Sequence, residues 1–220
     1  MNLVQWQIIG EWAPELAAAA VVTLEISAVS FVVALFIGVL TGAVRSRKTW
    51  LAGPLTAYVE FFRGTPLLVQ LFFIYYGLAQ VGLVFEANVA AVLGLGLNGG
   101  AYISEIIRGA LLGIDQGQYD AAHALGFTWF KMLRWVVMPQ ALRIALPPLV
   151  NSFSSLLKES SLVSLLAITE IMNVANQIYS RTFKAFEIFA VVAVMYFVMT
   201  FAFSLLARRL EARLSFRGAS

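Results

Sequence analysis

Long apolar runs limit what this chain can fold into more than any other feature of its sequence. A helix needs about 20 apolar residues to cross the hydrocarbon core of a bilayer, and several runs here reach that length. Charged residues make up only 12% of the chain, against about 25% in a typical soluble domain. The sequence therefore predicts an all-α integral membrane protein, with residues 1–220 forming a single transmembrane domain.

The apolar runs predict about five transmembrane helices. The second is interrupted by the sequence Arg-Gly-Thr-Pro at residues 63–66, and polar residues break up the segment 158–185. No Lys or Arg precedes the first run, so we interpret that run as a retained helix rather than a cleaved signal peptide. The predicted spans are residues 16–44, 54–83, 88–112, 139–157 and 186–206.

Basic residues predict the orientation of the chain in the membrane. They cluster after the first, third and fifth spans, and the positive-inside rule puts such clusters in the cytoplasm. We therefore expect the N-terminus outside, and the C-terminus and the loop at about residues 114–138 in the cytoplasm; Arg181 and Lys184 are exceptions. The clusters comprise Arg45, Arg47, Lys48, Lys131, Arg134, Arg208, Arg209, Arg213 and Arg217.

Several classes of function are excluded by what the sequence lacks. It has no Cys and one His, so it has neither disulfides nor the ligands for a thiolate or multi-histidine metal site. It has no P-loop motif, and its one GxGxxG match, at residues 94–99, follows no strand. The basic residues lie at the ends of apolar runs, which does not suggest nucleic-acid binding. We expect a non-catalytic chain that binds no cofactor or metal.

Charged side chains within spans are unfavourable, so they are usually functional or paired. Glu60 and Arg63 are three residues apart, as are Glu105 and Arg108, so we expect two structural pairs, each on one helix face. Polar residues near a broken helix mark where transporters often bind substrate. The candidates for the substrate pathway are Asn98, Ser152, Lys158 and Glu159.

Glycines recur four residues apart, a spacing that lets membrane helices approach closely. The pattern fits either helix packing within the chain or dimerisation. The pairs are Gly38 and Gly42, Gly96 and Gly100, and Gly109 and Gly113.

The loop at 114–138 has the features of a docking element. We expect Asp120 near a helix start, and the small side chains of Ala121 and Ala122 to let a short helix enter a partner's groove. Gly126 permits a tight turn, and Pro139 is expected to open the next span. These physical arguments alone also fit an ordinary amphipathic helix at the membrane interface.

The same residues resemble the EAA motif of ABC-importer permeases. Asp120-Ala121-Ala122, Gly126 and Pro139 keep the spacing of that motif, with Asp in place of Glu, and with Val136 and Met138 replacing Ile and Leu before the proline. The resemblance covers about residues 15–210. Further stretches that are similar to the polar amino-acid permeases of that superfamily occur in order at residues 62–71, 101–110, 117–118 and 146–162.

This resemblance implies the transmembrane subunit of a type I, ATP-driven importer in the bacterial inner membrane. Two permease subunits, identical or different, would form the pathway within the membrane lipid, and two ATPase subunits would bind ATP and Mg²⁺ and contact the loop. A binding protein outside the membrane would deliver an amino acid. Ser152 follows Asn151 where a basic substrate would want an acid, which favours a neutral polar amino acid or cystine. The alternative is an ion-coupled secondary amino-acid transporter driven through Glu25 or Glu105, although the sequence shows no internal repeat.

Overall fold

A computed structural model of the chain describes residues 9–47 and 49–215, and within these ranges it contains helices and short connections but no strand. Lys48 and Arg217, two of the basic residues used to predict the orientation, lie outside the described residues. The α-helices are α1 Ile9–Arg45, α2 Ala52–Gly64, α3 Leu67–Phe72, α4 Ala87–Leu112, α5 Gln116–Ala124, α6 Trp129–Met132, α7 Met138–Glu159, α8 Ile171–Thr182 and α9 Ala185–Ser215.

Three of these helices, α1, α4 and α9, are each long and apolar enough to cross a membrane. Two further spans are possible if bent pairs of helices are each counted as one. In the first pair, α2 meets Leu67–Val81 at 108°, and in the second, Trp129–Leu166 meets α8 at 52°. The structure therefore accommodates the five predicted spans, and the 108° bend falls at the predicted interruption.

The fourth span begins earlier than predicted. It starts at Trp129, ten residues before Pro139, where the Thr128 hydroxyl accepts a hydrogen bond from the Lys131 amide (3.5 Å). A π-helical turn over Leu133–Val137 then joins α6 to α7 without a break. Pro139, which lacks a backbone N–H, follows that turn, where the helical hydrogen-bond ladder is already irregular. Pro139 therefore lies in the first turn of α7, as expected, but the helical run of the fourth span begins before it, at Trp129.

Glycines allow α1 and α4 to pack closely along much of their length. A Cβ atom on Gly38 would lie 2.5 Å from Ile103 Cγ2, and one on Gly42 would lie 2.6 Å from the carbonyl oxygen of Ser104. No atom lies within 4 Å of the corresponding position on Gly109. The Gly38 and Gly42 pair thus serves packing within the chain.

Two apolar clusters hold the remaining helices against this pair. One joins α1 to α8 and α9 through residues such as Leu16, Ile171 and Ile188. The other packs Leu71 of α3 and Leu95 of α4 against the turn that follows α7.

Candidate functional site

An open cavity of about 400 Å³ lies between α2, α4 and α7, and both polar and apolar residues line it. Its polar lining from α7 consists of Asn151, Ser152, Ser155 and Glu159. Because residues four apart share a helix face, the polar run in the sequence becomes one polar wall of the cavity. Arg63 of α2, with Tyr102 and Glu105 of α4, forms the opposite side.

The structure brings together two of the four predicted pathway residues. Ser152 and Glu159 line the cavity, and both side chains are partly buried. Lys158 is exposed and does not line it, because adjacent residues on a helix point about 100° apart.

Asn98, the fourth predicted pathway residue, is buried outside the cavity and supports the bend between α2 and α3. Its side-chain amide donates hydrogen bonds to the carbonyl oxygen of Phe62 (3.0 Å) and to Gln70 Oε1 (3.0 Å), which uses both of its hydrogens. Gln70 in turn donates to the carbonyl oxygens of Phe62 (2.9 Å) and Thr65 (3.0 Å). The break in the helix leaves carbonyl groups without helical partners, and in a membrane they must be satisfied by the protein. The structure thus gives Asn98 a structural place rather than the predicted place in the cavity.

Glu105 is the centre of a three-residue ion network. It pairs with Arg108 at 2.8 Å, as its spacing predicts, and also with Arg45 of α1 at 2.5 Å. The Arg45 side chain is only 6% exposed, and it donates further hydrogen bonds to Ser104 (3.2 Å) and to Thr56 of α2 (3.1 Å). The network therefore ties three helices together at the edge of the cavity.

The predicted pair of Glu60 and Arg63 is not formed. Among the described side chains no ion pair joins them, and both are exposed. The Arg63 guanidinium instead lies over the ring of Tyr102, 5.5 Å from its centroid. An exposed ion pair contributes little stability, so the local spacing does not decide where Arg63 points.

The predicted docking loop, residues 114–138, contains the helix α5 and, from Trp129 onward, the start of the fourth span. The start of α5 differs from the prediction. Asp115 is its N-cap, and its Oδ1 accepts a hydrogen bond from the Gly117 amide (2.8 Å). Asp120 lies inside the helix, is exposed, and accepts a hydrogen bond from Gln116 (3.2 Å). Gly126 follows the helix with φ +71°, a left-handed conformation that favours glycine and allows the tight turn.

The two alanines of α5 point in different directions. Ala121 is exposed, whereas Ala122 is 2% exposed and packs in an apolar cluster with Ile114, Met132 and Val137 of the same chain. Ala122 was expected to lie in a partner's groove, but its side chain is already buried against the start of the fourth span. Ala122 thereby packs α5 against that span, whereas the side of α5 that bears Asp120 and Ala121 is exposed, and we call it the free side.

Residues 34–216 match the family described as the binding-protein-dependent transport system inner membrane component. The chain belongs to that family. The glutamine transport system permease protein GlnP of Escherichia coli (strain K12) is 38% identical over 212 residues, which cover 95% of this chain and 97% of the relative. The probable amino-acid permease protein YxeN of Bacillus subtilis (strain 168) is 36% identical over 219 residues, 98% of each chain.

Solved structures support the same conclusion. A crystal structure of an amino acid ABC transporter with histidines has a chain 35% identical to this permease, with a TM-score of 0.87, covering 96% of this chain and 99% of that chain. The MetNI methionine ABC transporter in an inward-facing conformation shares the fold, with a TM-score of 0.78 at 20% identity. This chain is therefore an amino-acid ABC transporter permease subunit with the type I importer fold, which confirms the resemblance. Such permease subunits are not themselves catalytic.

Several polar residues of the permease's site, among them Asn151 and Ser155 of the cavity wall, were not among the predicted site residues. Tyr102 also lines the cavity. Arg45 belongs to the ion network, and Gln70 supports the bend between α2 and α3. Arg45 was assigned to a basic cluster at the end of a span, and its position opposite Glu105 depends on the packing of α1 against α4. Gln70, a polar residue in an otherwise apolar run just after a predicted helix break, is the one that local sequence could have identified.

Proposed function

We propose that this permease forms the substrate pathway of an ATP-driven importer for a neutral polar amino acid, together with a second permease subunit, in the bacterial inner membrane. The observation that carries this proposal is the cavity between α2, α4 and α7, whose walls carry Arg63, Ser152 and Glu159. Asn151 and Ser155 of its wall are exposed in the single chain. A second permease subunit, identical or different, would close the cavity from that side.

The chemistry of the cavity matches a zwitterion. The Arg63 guanidinium suits a carboxylate, and the Glu159 carboxylate suits an ammonium group, because charge-assisted hydrogen bonds are strong and directional. Glu105 already pairs with Arg45 and Arg108, so it offers little to a second cation. The amide and hydroxyl groups of α7 remain for a polar side chain, and glutamine, which the name of the Escherichia coli relative specifies, fits them.

The free side of α5 supports a coupling role. ATPase subunits that bind ATP and Mg²⁺ would contact Asp120 and Ala121 there, and Ala122 would pass the motion to the fourth span. On this proposal α5 and the C-terminus lie in the cytoplasm and the N-terminus lies outside, where a binding protein would deliver the amino acid. The ion-coupled alternative is less well supported, because Glu25 lies on an exposed part of α1 and both oxygens of Glu105 contact arginines.

The proposal can be tested with the complex expressed from its operon, purified and reconstituted in nanodiscs and proteoliposomes. We expect an ATPase to co-purify, and its hydrolysis to be stimulated by a binding protein loaded with a neutral polar amino acid more than by one loaded with arginine. Ion-gradient-driven uptake by the chain without any ATPase would refute the proposal.

Matched variants separate the cavity from the rest of α7. Glu159→Gln should raise the KM for uptake about tenfold or more, because it removes a charged partner of the substrate and a hydrogen bond to a charged group is worth about 1.5–3 kcal/mol. Lys158→Gln, one residue away but outside the cavity, should leave the KM unchanged. Equal effects of the two variants would contradict the assignment of the cavity.

A third variant tests the coupling helix. Gly126→Trp places a bulky side chain on a residue with φ +71° next to the free side of α5, and we expect it to abolish co-purification of the ATPase. Gly53→Trp, at another glycine with open space around it, is the control. Intact ATPase association and transport in Gly126→Trp would show that α5 is not the docking element.

A further inference from the structure

A second cavity of about 220 Å³ opens between α1, α7 and α9, and all of its lining side chains are apolar. Leu35 of α1 and Leu146, Leu149 and Val150 of α7 form its walls. It shares no lining residue with the cavity between α2, α4 and α7, and nothing in the transport cycle proposed above requires it. We call it the apolar cleft.

Three aromatic rings close one end of the apolar cleft. The ring centroid of Phe153 lies 4.0 Å from that of Phe203 on α9 and 5.0 Å from that of Phe31 on α1. Phe153 adjoins the cleft without lining it, and the lining residues of α7 all precede Phe153, whereas Ala207 of α9 follows Phe203. The two helices are therefore antiparallel along the cleft, which opens toward the start of α7 and the end of α9, at the end of the bundle that carries α5.

Two arginines stand beyond this open end. Arg143 is one helical turn before the lining residue Leu146, on the same face of α7. Arg208 directly follows Ala207 and so points about 100° away from it around α9, and its Nε donates to the carbonyl oxygen of Ser204 in the same helix (3.4 Å). Both side chains are exposed, and neither has a carboxylate partner among the described side chains.

We propose that the apolar cleft binds an anionic phospholipid, with one acyl chain between α7 and α9 and its phosphate against Arg143 and Arg208. An apolar cavity of about 150 Å³ stays dry and accepts a benzene-sized hydrocarbon, so the larger cleft suits a hydrocarbon chain rather than water. Arginine binds phosphate oxygens in a bidentate manner, and basic pockets between membrane helices recognise anionic head groups.

The dimensions of the cleft agree with one lipid leaflet. Arg143 and Phe153 are ten residues apart on α7, which corresponds to about 15 Å at the helical rise of about 1.5 Å per residue. The hydrocarbon core of a bilayer is about 30 Å thick, so one leaflet contributes about half of that. A lipid with its phosphate at the arginines would therefore place the end of its acyl chain near the aromatic rings.

The test is photolabelling of the assembled transporter in phosphatidylcholine nanodiscs that contain a little phosphatidylglycerol with a diazirine in one acyl chain. We expect the label on peptides spanning residues 146–153 and 203–207, and we expect unlabelled phosphatidylglycerol to compete for it. A phosphatidylcholine probe of the same chain length should label these peptides no more than the rest of the lipid-facing surface.

Variants at the rim test the head-group contact without disturbing the core. The double variant Arg143→Gln with Arg208→Gln should lower the labelling at least tenfold, because each cation near an anionic head group is worth about fivefold. Lys131→Gln with Arg134→Gln, which alters exposed cations at the same end of the bundle, should retain it. Both rim arginines are exposed, so the double variant is expected to fold.

A variant inside the cleft tests the acyl-chain contact. Val150→Phe fills the space and should reduce the labelling, whereas Val198→Phe, on an exposed part of α9, should not. Labelling that ignores both the rim arginines and Val150, or crosslinks from this region to a second permease subunit in place of lipid, would overturn the proposal. Because the readout is labelling, it is independent of whether the permease imports the amino acid proposed above.

Discussion

Replacing Gly42 by alanine tests directly how closely α1 and α4 approach. The added Cβ would lie 2.6 Å from the carbonyl oxygen of Ser104 and 2.9 Å from Ile107 Cβ, and real Cβ atoms essentially never show contacts this short. The first contact is with backbone, so no rotation of a side chain relieves it, and the two helices must move apart.

The expected loss of stability follows from this geometry. Overpacking in a well-packed interior costs about 1–3 kcal/mol, while alanine gains up to about 1 kcal/mol over glycine in helix propensity. For chains of this size about 1 kcal/mol corresponds to about 2–4 °C in the melting temperature. Gly42→Ala should therefore melt several degrees below the parent protein.

Gly109→Ala is the matched control, because the same atom added there meets nothing within 4 Å. This variant should melt at the parent temperature or slightly above it, since only the gain in propensity remains. The assay is thermal unfolding of the purified complex in detergent, followed by size-exclusion chromatography with fluorescence detection. Identical melting of Gly42→Ala and Gly109→Ala would refute the close approach of the two helices.

Three further predictions concern polar groups. Glu105→Gln should lower the free energy of unfolding by about 1–3 kcal/mol, because it weakens charge-assisted hydrogen bonds to Arg45 and Arg108. Glu60→Gln should change it by less than about 0.5 kcal/mol, and equal melting temperatures would contradict the ion network. Asn98→Leu should destabilise the fold by about 1–3 kcal/mol, because it leaves carbonyl groups unpaired, and it should not change the KM for uptake. A rise in KM without a loss of stability would show that Asn98 belongs to the substrate pathway. Asp115→Ala should speed amide hydrogen exchange in α5, since loss of an N-cap costs about 1 kcal/mol, whereas Asp120→Ala should not; the reverse order would contradict the assigned helix start.

The number and approximate position of the spans could be predicted because each depends on a local property. The length of an apolar run and the Arg-Gly-Thr-Pro break at residues 63–66 act within a few residues, and the structure bends by 108° at that break. The two errors of local structure have local causes too. Asp115, five residues before Asp120, is the residue that caps α5. The π-turn before Pro139 joins α6 to α7, so the fourth span begins at Trp129 rather than near Pro139.

The roles of the polar residues could not be predicted in the same way. In the sequence Asn98 is a polar residue in an apolar run, and this is equally true of a residue that faces a cavity and of one that supports a helix bend. Only its hydrogen bonds to Phe62 and Gln70 show that it supports the bend. Spacing correctly pairs Glu105 with Arg108, but it says nothing of Arg45, sixty residues away on α1.

The sequence by itself determined that this chain spans a membrane as helices and belongs among the amino-acid permeases, since hydrophobic length and ordered motifs are properties of the chain alone. The tertiary structure decided which polar side chains face a cavity and which support the backbone, and it decided where glycines bring helices together. Each of these depends on helices that are distant in sequence. In a bilayer the backbone groups freed by a helix break must find partners within the protein, and those partners are identified only when the helices have packed.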